Sequence, residues 1–117
     1  MKLVSKFIQP LNETFSFQVG SNAQDNFTII DESNNHDLWF HIEKESSCHV
    51  ICSMPEEATY DKKQQRYIIK QGALICKQYS RFKSMPKIDV VYTTIANITK
   101  TDTIGRVIVE NGKTIAV

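Results

Sequence analysis

Only one segment of this chain has the apolar spacing of a long helix, while short apolar runs between turn residues fill most of the remainder. The segment covers residues about 61–82, where apolar side chains recur every three or four positions. The short runs show the alternation or the continuous apolar character of strands. The pattern predicts one α+β domain over residues 1–117, in which a mostly antiparallel sheet of six to eight short strands carries one long amphipathic helix on a face.

The connections between the predicted strands limit the topology further. The strands cover residues 3–8, 14–19, 27–30, 38–42, 49–54, 88–92, 105–110 and 113–117. Asn111 and Gly112 separate the last two strands and are typical of a type I′ hairpin turn. The helix joins the strand at 49–54 to the strand at 88–92, which predicts a right-handed crossover between parallel strands.

The predicted helix has an apolar stripe and a basic stripe on different faces. We expect the apolar stripe to pack on the sheet and the basic stripe to face water. Gly72 lies on the apolar stripe and lowers helix propensity by about 1 kcal/mol relative to Ala, so we expect the helix backbone to approach a strand closely there. The basic stripe consists of Lys62, Lys63, Arg66, Lys70, Lys77 and Arg81.

Charge is distributed unevenly, although the net charge is only +1. Residues 62–87 hold eight basic residues and no acidic one, whereas residues 7–61 hold ten acidic residues and Lys44 alone among the bases. Such asymmetry is typical of a protein with an anionic partner such as nucleic acid. A solvated lysine-rich helix face explains it equally well. Like charges at helical spacing repel one another, which favours the anionic partner.

Composition excludes several classes of protein. Apolar residues make up 41% and charged residues 23%, as in ordinary globular domains. No apolar run is long enough to span a membrane, and residues 1–9 are too short and too interrupted for a signal peptide. Three cysteines are an odd count, which argues against a disulfide framework and favours a reduced, cytoplasmic setting.

Residues capable of chemistry cluster in one region without a recognisable catalytic or metal-binding spacing. Residues 36–52 contain His36, Asp37, His41, Cys48, His49 and Cys52. The spacing lacks a Cys-x2-Cys pair and a second pair of ligands, so we predict no metal site. No phosphate-binding loop, dinucleotide fingerprint or glycine-rich oxyanion loop occurs either, so we predict no cofactor and no catalysis.

The same region carries a family resemblance. Asp37-Leu38-Trp39-Phe40-His41 followed by Cys48-His49-Val50 resembles the signature of the NFACT-R domain. This is the RNA-binding domain of the NFACT proteins of ribosome-associated quality control, and it also occurs in small coiled-coil-domain-containing proteins. The segments 20–23, 90–93 with Lys100, and 105–117 resemble other parts of that family in the same order. Ser21 departs from the family, which commonly has Lys or Arg there, and Cys48 replaces a small Ser or Ala.

The resemblance implies a non-catalytic RNA-binding domain that recognises structured RNA of the translation and ribosome quality-control apparatus, tRNA or rRNA, with a ribosomal or other protein as a further partner and no membrane. The contacts would come from the basic stripe and from a patch containing tryptophan and histidine. The expected RNA-binding residues are Ser21, Asn22, Asp37, Trp39, His41, His49, Lys62, Arg66, Lys70, Lys77, Arg81, Tyr92 and Lys100. The alternative is a protein–protein interaction module without direct nucleic-acid contact, in which the acidic loops make the contact.

More than one role is possible for residues of the patch that contains tryptophan and histidine. Trp39 and Phe40 alternate along a strand, so one is expected to enter the core and the other to cover the sheet. Trp39 either stacks a base at the surface or simply fills the core. Asp37 either orients His41 or caps the beginning of the strand. His41 and His49 lie on neighbouring strands and are expected to sit side by side.

Overall fold

The computed structural model describes residues 1–56 and 59–117 and confirms an α+β fold. The strands are β1 (Lys2–Ile8), β2 (Glu13–Val19), β3 (Leu38–Ile42), β4 (Val50–Cys52), β5 (Asp89–Thr94), β6 (Ile98–Lys100), β7 (Val107–Val109) and β8 (Lys113–Ala116). The helices are α1 (Ala23–Asp31) and α2 (Lys62–Gln78), and single 3-10 turns cover Gln9–Leu11 and Ile95–Asn97.

Six of the strands form one antiparallel sheet in the order β1-β2-β4-β3-β5-β8, and β6 and β7 form a separate two-stranded ribbon. Because β3 pairs antiparallel with both β4 and β5, the latter two strands are parallel to each other. The helix α2 connects them and packs on β3, β4 and β5. The predicted crossover between parallel strands is therefore confirmed, with β3 inserted between its two strands.

The sheet has a core on each face. On one face α2 covers a core that contains Phe17, Phe40 and Val50. On the other face α1 and the β6–β7 ribbon cover a smaller core built around Trp39 and Ile51. The alternation of Trp39 and Phe40 predicts that one ring enters the core and the other covers the sheet. In the structure both rings are fully buried, on opposite faces of the sheet.

The N-terminus of α2 and its contact with the sheet follow from local sequence. Asp61 accepts a hydrogen bond from the Gln64 backbone N–H at 2.8 Å, and the Gln64 side chain accepts one from the Asp61 backbone N–H at 3.0 Å, which is a capping box. A Cβ atom on Gly72 would overlap the Phe40 ring. The predicted close approach of helix and strand at Gly72 is confirmed.

Three predicted strands differ from the structure, and β6 (Ile98–Lys100) was not predicted. Residues 27–30 belong to helix α1, because Asn22 caps a helix there by accepting a hydrogen bond from the Asp25 backbone N–H at 2.8 Å. Four apolar residues in a row do not distinguish a strand from a buried turn of helix. The strands predicted at 49–54 and 105–110 are shorter, since only Val50–Cys52 and Val107–Val109 pair.

The predicted terminal hairpin is wrong. β7 pairs with β6, whereas β8 pairs with β5, so the Asn111-Gly112 turn carries the chain from the ribbon to the main sheet. Asn111 has a φ of 54°, but Gly112 is not in the positive-φ region that a type I′ turn requires at both positions. α2 also ends at Gln78 rather than near 82, so Arg81 lies beyond the helix.

Candidate nucleic-acid interface

The outward face of α2 carries four exposed cations, Lys62, Lys63, Arg66 and Lys70, which we call the α2 basic surface. Within the described residues, none of the four lies within 4.0 Å of a carboxylate oxygen. Two of them occupy the first turn, where no acidic residue occurs and where the helix dipole disfavours positive charge. The surface therefore combines mutual repulsion with an unfavourable dipole interaction, and a bound polyanion would relieve both.

The other two members of the predicted stripe are engaged elsewhere. Lys77 is half-buried, and its Nζ donates to the Val117 backbone oxygen at 3.1 Å. Arg81 donates to the Glu45 carboxylate at 2.9 Å and to the Ser46 carbonyl at 3.2 Å. The predicted stripe of six residues thus divides into four free cations and two that hold other segments in place.

A groove of about 550 Å³, the α2 groove, runs between α2 and the neighbouring strands β5 and β8. Tyr92 lines it beside Lys62 and Arg66, so this tyrosine belongs to the same surface as the basic helix. The Tyr92 ring also packs on Phe40, with ring centroids 6.3 Å apart. The polar residues of the groove are Lys62, Gln65, Arg66, Thr93, Thr94, Asn97, Asn111 and Lys113. Among the described residues that line the groove, three are cationic and none is acidic, which suits an anionic ligand.

A larger cleft of about 1020 Å³, the histidine cleft, opens on the opposite side of the sheet from the α2 basic surface. Its walls are the turn at 20–23, the loop at 43–48 and the loop at 103–106. The His41 and His49 rings lie 5.0 Å apart, centroid to centroid, which confirms their predicted proximity. His41 also stacks on Trp39, with the ring planes 6° apart.

The buried hydrogen bonds of His49 fix its tautomer. The Trp39 indole N–H donates to His49 Nδ1 at 3.2 Å, so the proton of the neutral ring must be on Nε2. Burial, together with the nearby His41, lowers the pKa of His49 from 6.5 to about 3, and a hydrogen bond with the Gly105 backbone only partly opposes this. His49 is 1% exposed. It is therefore a neutral, buried support for the cleft.

His41 is the member of this aromatic group that remains half-exposed. Burial lowers its pKa below 6.5, although a backbone hydrogen bond at Ile42 partly opposes the effect. The ring is thus mainly neutral at pH 7. It can stack on a planar group or exchange hydrogen bonds, but it does not offer a positive charge to phosphate.

Three further predicted residues have assigned contacts. Asn22 caps α1, and the Ser21 backbone N–H donates to the Asp25 carboxylate at 3.1 Å, while both residues line the histidine cleft. The Asp37 carboxylate accepts from the Asn34 and Met54 backbone N–H groups at 2.9 and 2.8 Å. Two roles were predicted for Asp37, and these contacts correspond to the second, in which the carboxylate caps the beginning of β3.

Lys100 lies apart from the histidine cleft. Its ammonium group forms an ion pair with Asp31 and lies 5.3 Å above the centroid of the Phe27 ring. The contact joins the ribbon to α1 on the second core. Its charge is consequently compensated in the free protein.

Sequence reasoning missed residues that shape the cleft. The Asn26 side chain accepts a hydrogen bond from the His49 backbone N–H at 3.1 Å, and a Cβ atom on Gly20 would overlap that side chain. Gly105 has a φ of 84° and packs against Ala23 at the start of α1. The sequence signal for this cleft is the presence of Gly20 and Gly105, because a side chain does not fit at either position.

Two of the residues considered above as possible metal ligands, His36 and Cys52, have contacts of their own outside the His41–His49 pair. His36 Nε2 bonds to the Met54 carbonyl at 2.9 Å, and Cys52 packs in the core beneath α2. Across residues 1–56 and 59–117, no three His, Cys, Asp or Glu side chains converge on a common point. The described helices are also too short or too polar to cross a bilayer.

Known proteins resemble this chain in sequence and in fold. The family described as NFACT protein RNA binding domain matches residues 4–115. Coiled-coil domain-containing protein 25 of Danio rerio is 31% identical over 83 residues, which are 71% of this chain and 40% of that protein. The C-terminal part of the fibronectin/fibrinogen-binding protein from Streptococcus suis has the same fold, with a TM-score of 0.80 at 17% identity, over 100% of this chain and 46% of that one.

The chain thus spans less than half the length of both relatives. The family match, in contrast, covers nearly all of its residues, including both surfaces described above. This chain belongs to the NFACT protein RNA binding domain family.

Proposed function

We propose that this domain is a non-catalytic RNA-binding module whose principal contact is the α2 basic surface. The observation that carries the proposal is the set of four exposed cations on one helix face, without an acidic partner in the described part of the chain. The family to which the chain belongs is described as RNA binding, which supports the ligand class. Within that class we propose structured RNA of the cytoplasmic translation and quality-control apparatus, either tRNA or rRNA.

The α2 basic surface would bind the RNA backbone. Each lysine or arginine that neutralises a phosphate releases condensed counterions, which gives sequence-independent affinity. The α2 groove extends this contact with Lys113 and adds amide and hydroxyl groups that can hydrogen-bond a sugar or a base edge. A segment of RNA lying along α2 would therefore place its phosphates on the helix and one nucleotide in the groove.

The histidine cleft would supply a second contact. The half-exposed His41 ring is held by Trp39 on one side and by His49 at its edge, so it is a rigid platform for an unpaired base. Trp39 and His49 would act only by positioning it, because both are buried. The two surfaces lie on opposite sides of a molecule 26–38 Å across, which favours a folded RNA over one short strand as the ligand.

Crosslinking in cells tests both the ligand and the surface. RNA crosslinked to the domain by ultraviolet light would be sequenced, and the crosslinked peptides would be identified by mass spectrometry. We expect tRNA or rRNA fragments, attached to peptides from residues 62–78 or from the strand that carries Tyr92. RNA attached only to peptides remote from both surfaces would contradict the proposed site. Recovery of protein partners without RNA would favour the protein–protein interaction module instead.

A further inference from the structure

Two of the three cysteines meet beside the histidine cleft, between the loop that precedes β4 and the last turn of α2. The Sγ atom of Cys48 lies 3.9 Å from the Cys76 backbone oxygen, and the Sγ atom of Cys76 lies 3.9 Å from the Cys48 backbone oxygen. This reciprocal arrangement brings together the side chains of residues that are 28 positions apart in the sequence.

We propose that Cys48 and Cys76 form a reversible intramolecular disulfide on exposure to hydrogen peroxide. An odd number of cysteines argues against a permanent framework, but it does not exclude one redox-active pair. Transient disulfides of this kind are the type found in reducing compartments.

The exposure of the two thiols sets the order of the reaction. Cys48 is half-buried and lines the histidine cleft, so peroxide can reach it, whereas Cys76 is buried. The hydrogen bond from Cys76 lowers the pKa of Cys48 and favours its thiolate, which is the nucleophilic form. The same hydrogen bond, together with burial, raises the pKa of Cys76. Cys48 is thus the attacking residue and Cys76 the resolving residue.

Each step balances. The Cys48 thiolate attacks one peroxide oxygen, the O–O bond breaks, and the released hydroxide takes up a proton to become water, which leaves a sulfenic acid on Cys48. The Cys76 sulfur then attacks the Cys48 sulfur and the S–O bond breaks. The hydroxyl group leaves with the Cys76 proton as a second water. Two thiols have lost two electrons, and peroxide has been reduced to two molecules of water.

The third cysteine provides an internal control. Cys52 is fully buried in β4, and burial raises the pKa of its thiol to about 12. Its sulfur contacts Ser53 and Met54 rather than another cysteine. Cys52 should therefore stay reduced while Cys48 and Cys76 react.

The bond would join the loop that lines the histidine cleft to the C-terminal end of α2. Because it would close a loop between residues 28 positions apart, it would reduce the conformational entropy of the unfolded chain. We expect the oxidised protein to have a melting temperature several degrees higher and slower amide hydrogen exchange at residues 43–48.

The test is peroxide treatment of the untagged protein followed by intact mass and peptide mapping. We expect a loss of two hydrogen atoms that dithiothreitol reverses, with one crosslinked peptide pair joining Cys48 to Cys76. The Cys76→Ala variant should accumulate a Cys48 sulfenic acid that dimedone traps, and Cys48→Ala should form no disulfide. A stable sulfenic acid in the wild-type protein, oxidation of Cys52 at the same rate as Cys48, or no reaction at all would overturn the proposal.

Discussion

The α2 basic surface and the histidine cleft are built by opposite means. The first consists of exposed, mutually repelling cations on a helix that the sheet holds from behind. The second consists of neutral aromatic side chains in contact with one another, two of which are almost completely removed from water. The difference teaches that the helix surface can change its charge with little effect on the fold, whereas the buried aromatic residues of the cleft, Trp39 and His49, cannot be replaced without loss of stability.

The largest expected effect is at the centre of the cleft. Trp39→Ala should lower the free energy of unfolding by about 3–5 kcal/mol, because it opens a cavity in the second core and removes the donor to His49. Urea denaturation measures the change. Phe7→Ala is the matched control, since Phe7 is an aromatic residue 58% exposed on β1 and should change stability by less than about 0.5 kcal/mol. Equal effects at the two positions would contradict the assignment of Trp39 to the core.

The second largest effect on stability is expected from acidification, which acts through the histidines of the cleft. The pKa of His49 falls from 6.5 to about 3 on folding, so between these values the unfolded chain binds a proton that the folded protein does not. Stability present at pH 7 is therefore lost as the pH falls, by about 3 kcal/mol between pH 6.5 and pH 4. The lowered pKa of His41 acts in the same direction. Unfolding free energies across this range should fall less steeply for His49→Gln, and an identical slope would show that His49 is not the group responsible.

A smaller effect is expected where α2 meets the sheet. Gly72→Ala should destabilise the domain by about 1–3 kcal/mol because the new methyl group overlaps the Phe40 ring. Helix propensity alone predicts the opposite sign, a gain of about 1 kcal/mol. The sign of the change in thermal unfolding therefore decides between the two. Gln71→Ala, one position earlier in the same helix, serves as the control for propensity.

The smallest effect on stability is expected on the α2 basic surface. Replacement of Lys62, Arg66 and Lys70 together by Gln should change the free energy of unfolding by less than about 0.5 kcal/mol per residue. The change should be towards greater stability, since repulsion and the unfavourable dipole interaction are both reduced. A large loss of stability would show that these side chains support the fold, and their assignment as a free surface would be wrong.

The same contrast explains how far the sequence predicted the structure. The basic residues Lys62, Lys63, Arg66 and Lys70 and the sheet-facing position of Gly72 follow from the period of one helix, so periodicity was sufficient for them. The same period did not show that Lys77 and Arg81 are engaged by other segments. Helix α1 was missed because its apolar residues are few and adjacent. The network around His49 joins Asn26, Trp39 and Gly105, which are far apart in the chain, and only the proximity of His41 to His49 could be predicted, from neighbouring strands.

The pairing of the chain's last strands shows the same limit. Asn111 and Gly112 have the residue types of a hairpin turn, and local reasoning therefore joined the two strands beside them. Burial decided otherwise, since β7 covers the second core with β6 while β8 extends the main sheet at β5. The pairing of β7 and β8 depends on how both faces of the main sheet are covered, and a local sequence pattern carries no information about that.

Binding of the RNA backbone by the α2 basic surface is tested most directly by the salt dependence of RNA affinity. Affinity for a tRNA would be measured over a range of salt concentrations for the wild type, for the Lys62, Arg66 and Lys70 to Gln variant, and for a control variant. The control changes Lys6, Lys83 and Lys87 to Gln, three exposed lysines outside that surface. We predict that the α2 variant binds more weakly and that its slope of log affinity against log salt is flatter by about 0.7–0.9 for each lost phosphate contact, while the control stays close to the wild type. Equal affinities and slopes for the two variants would contradict the account.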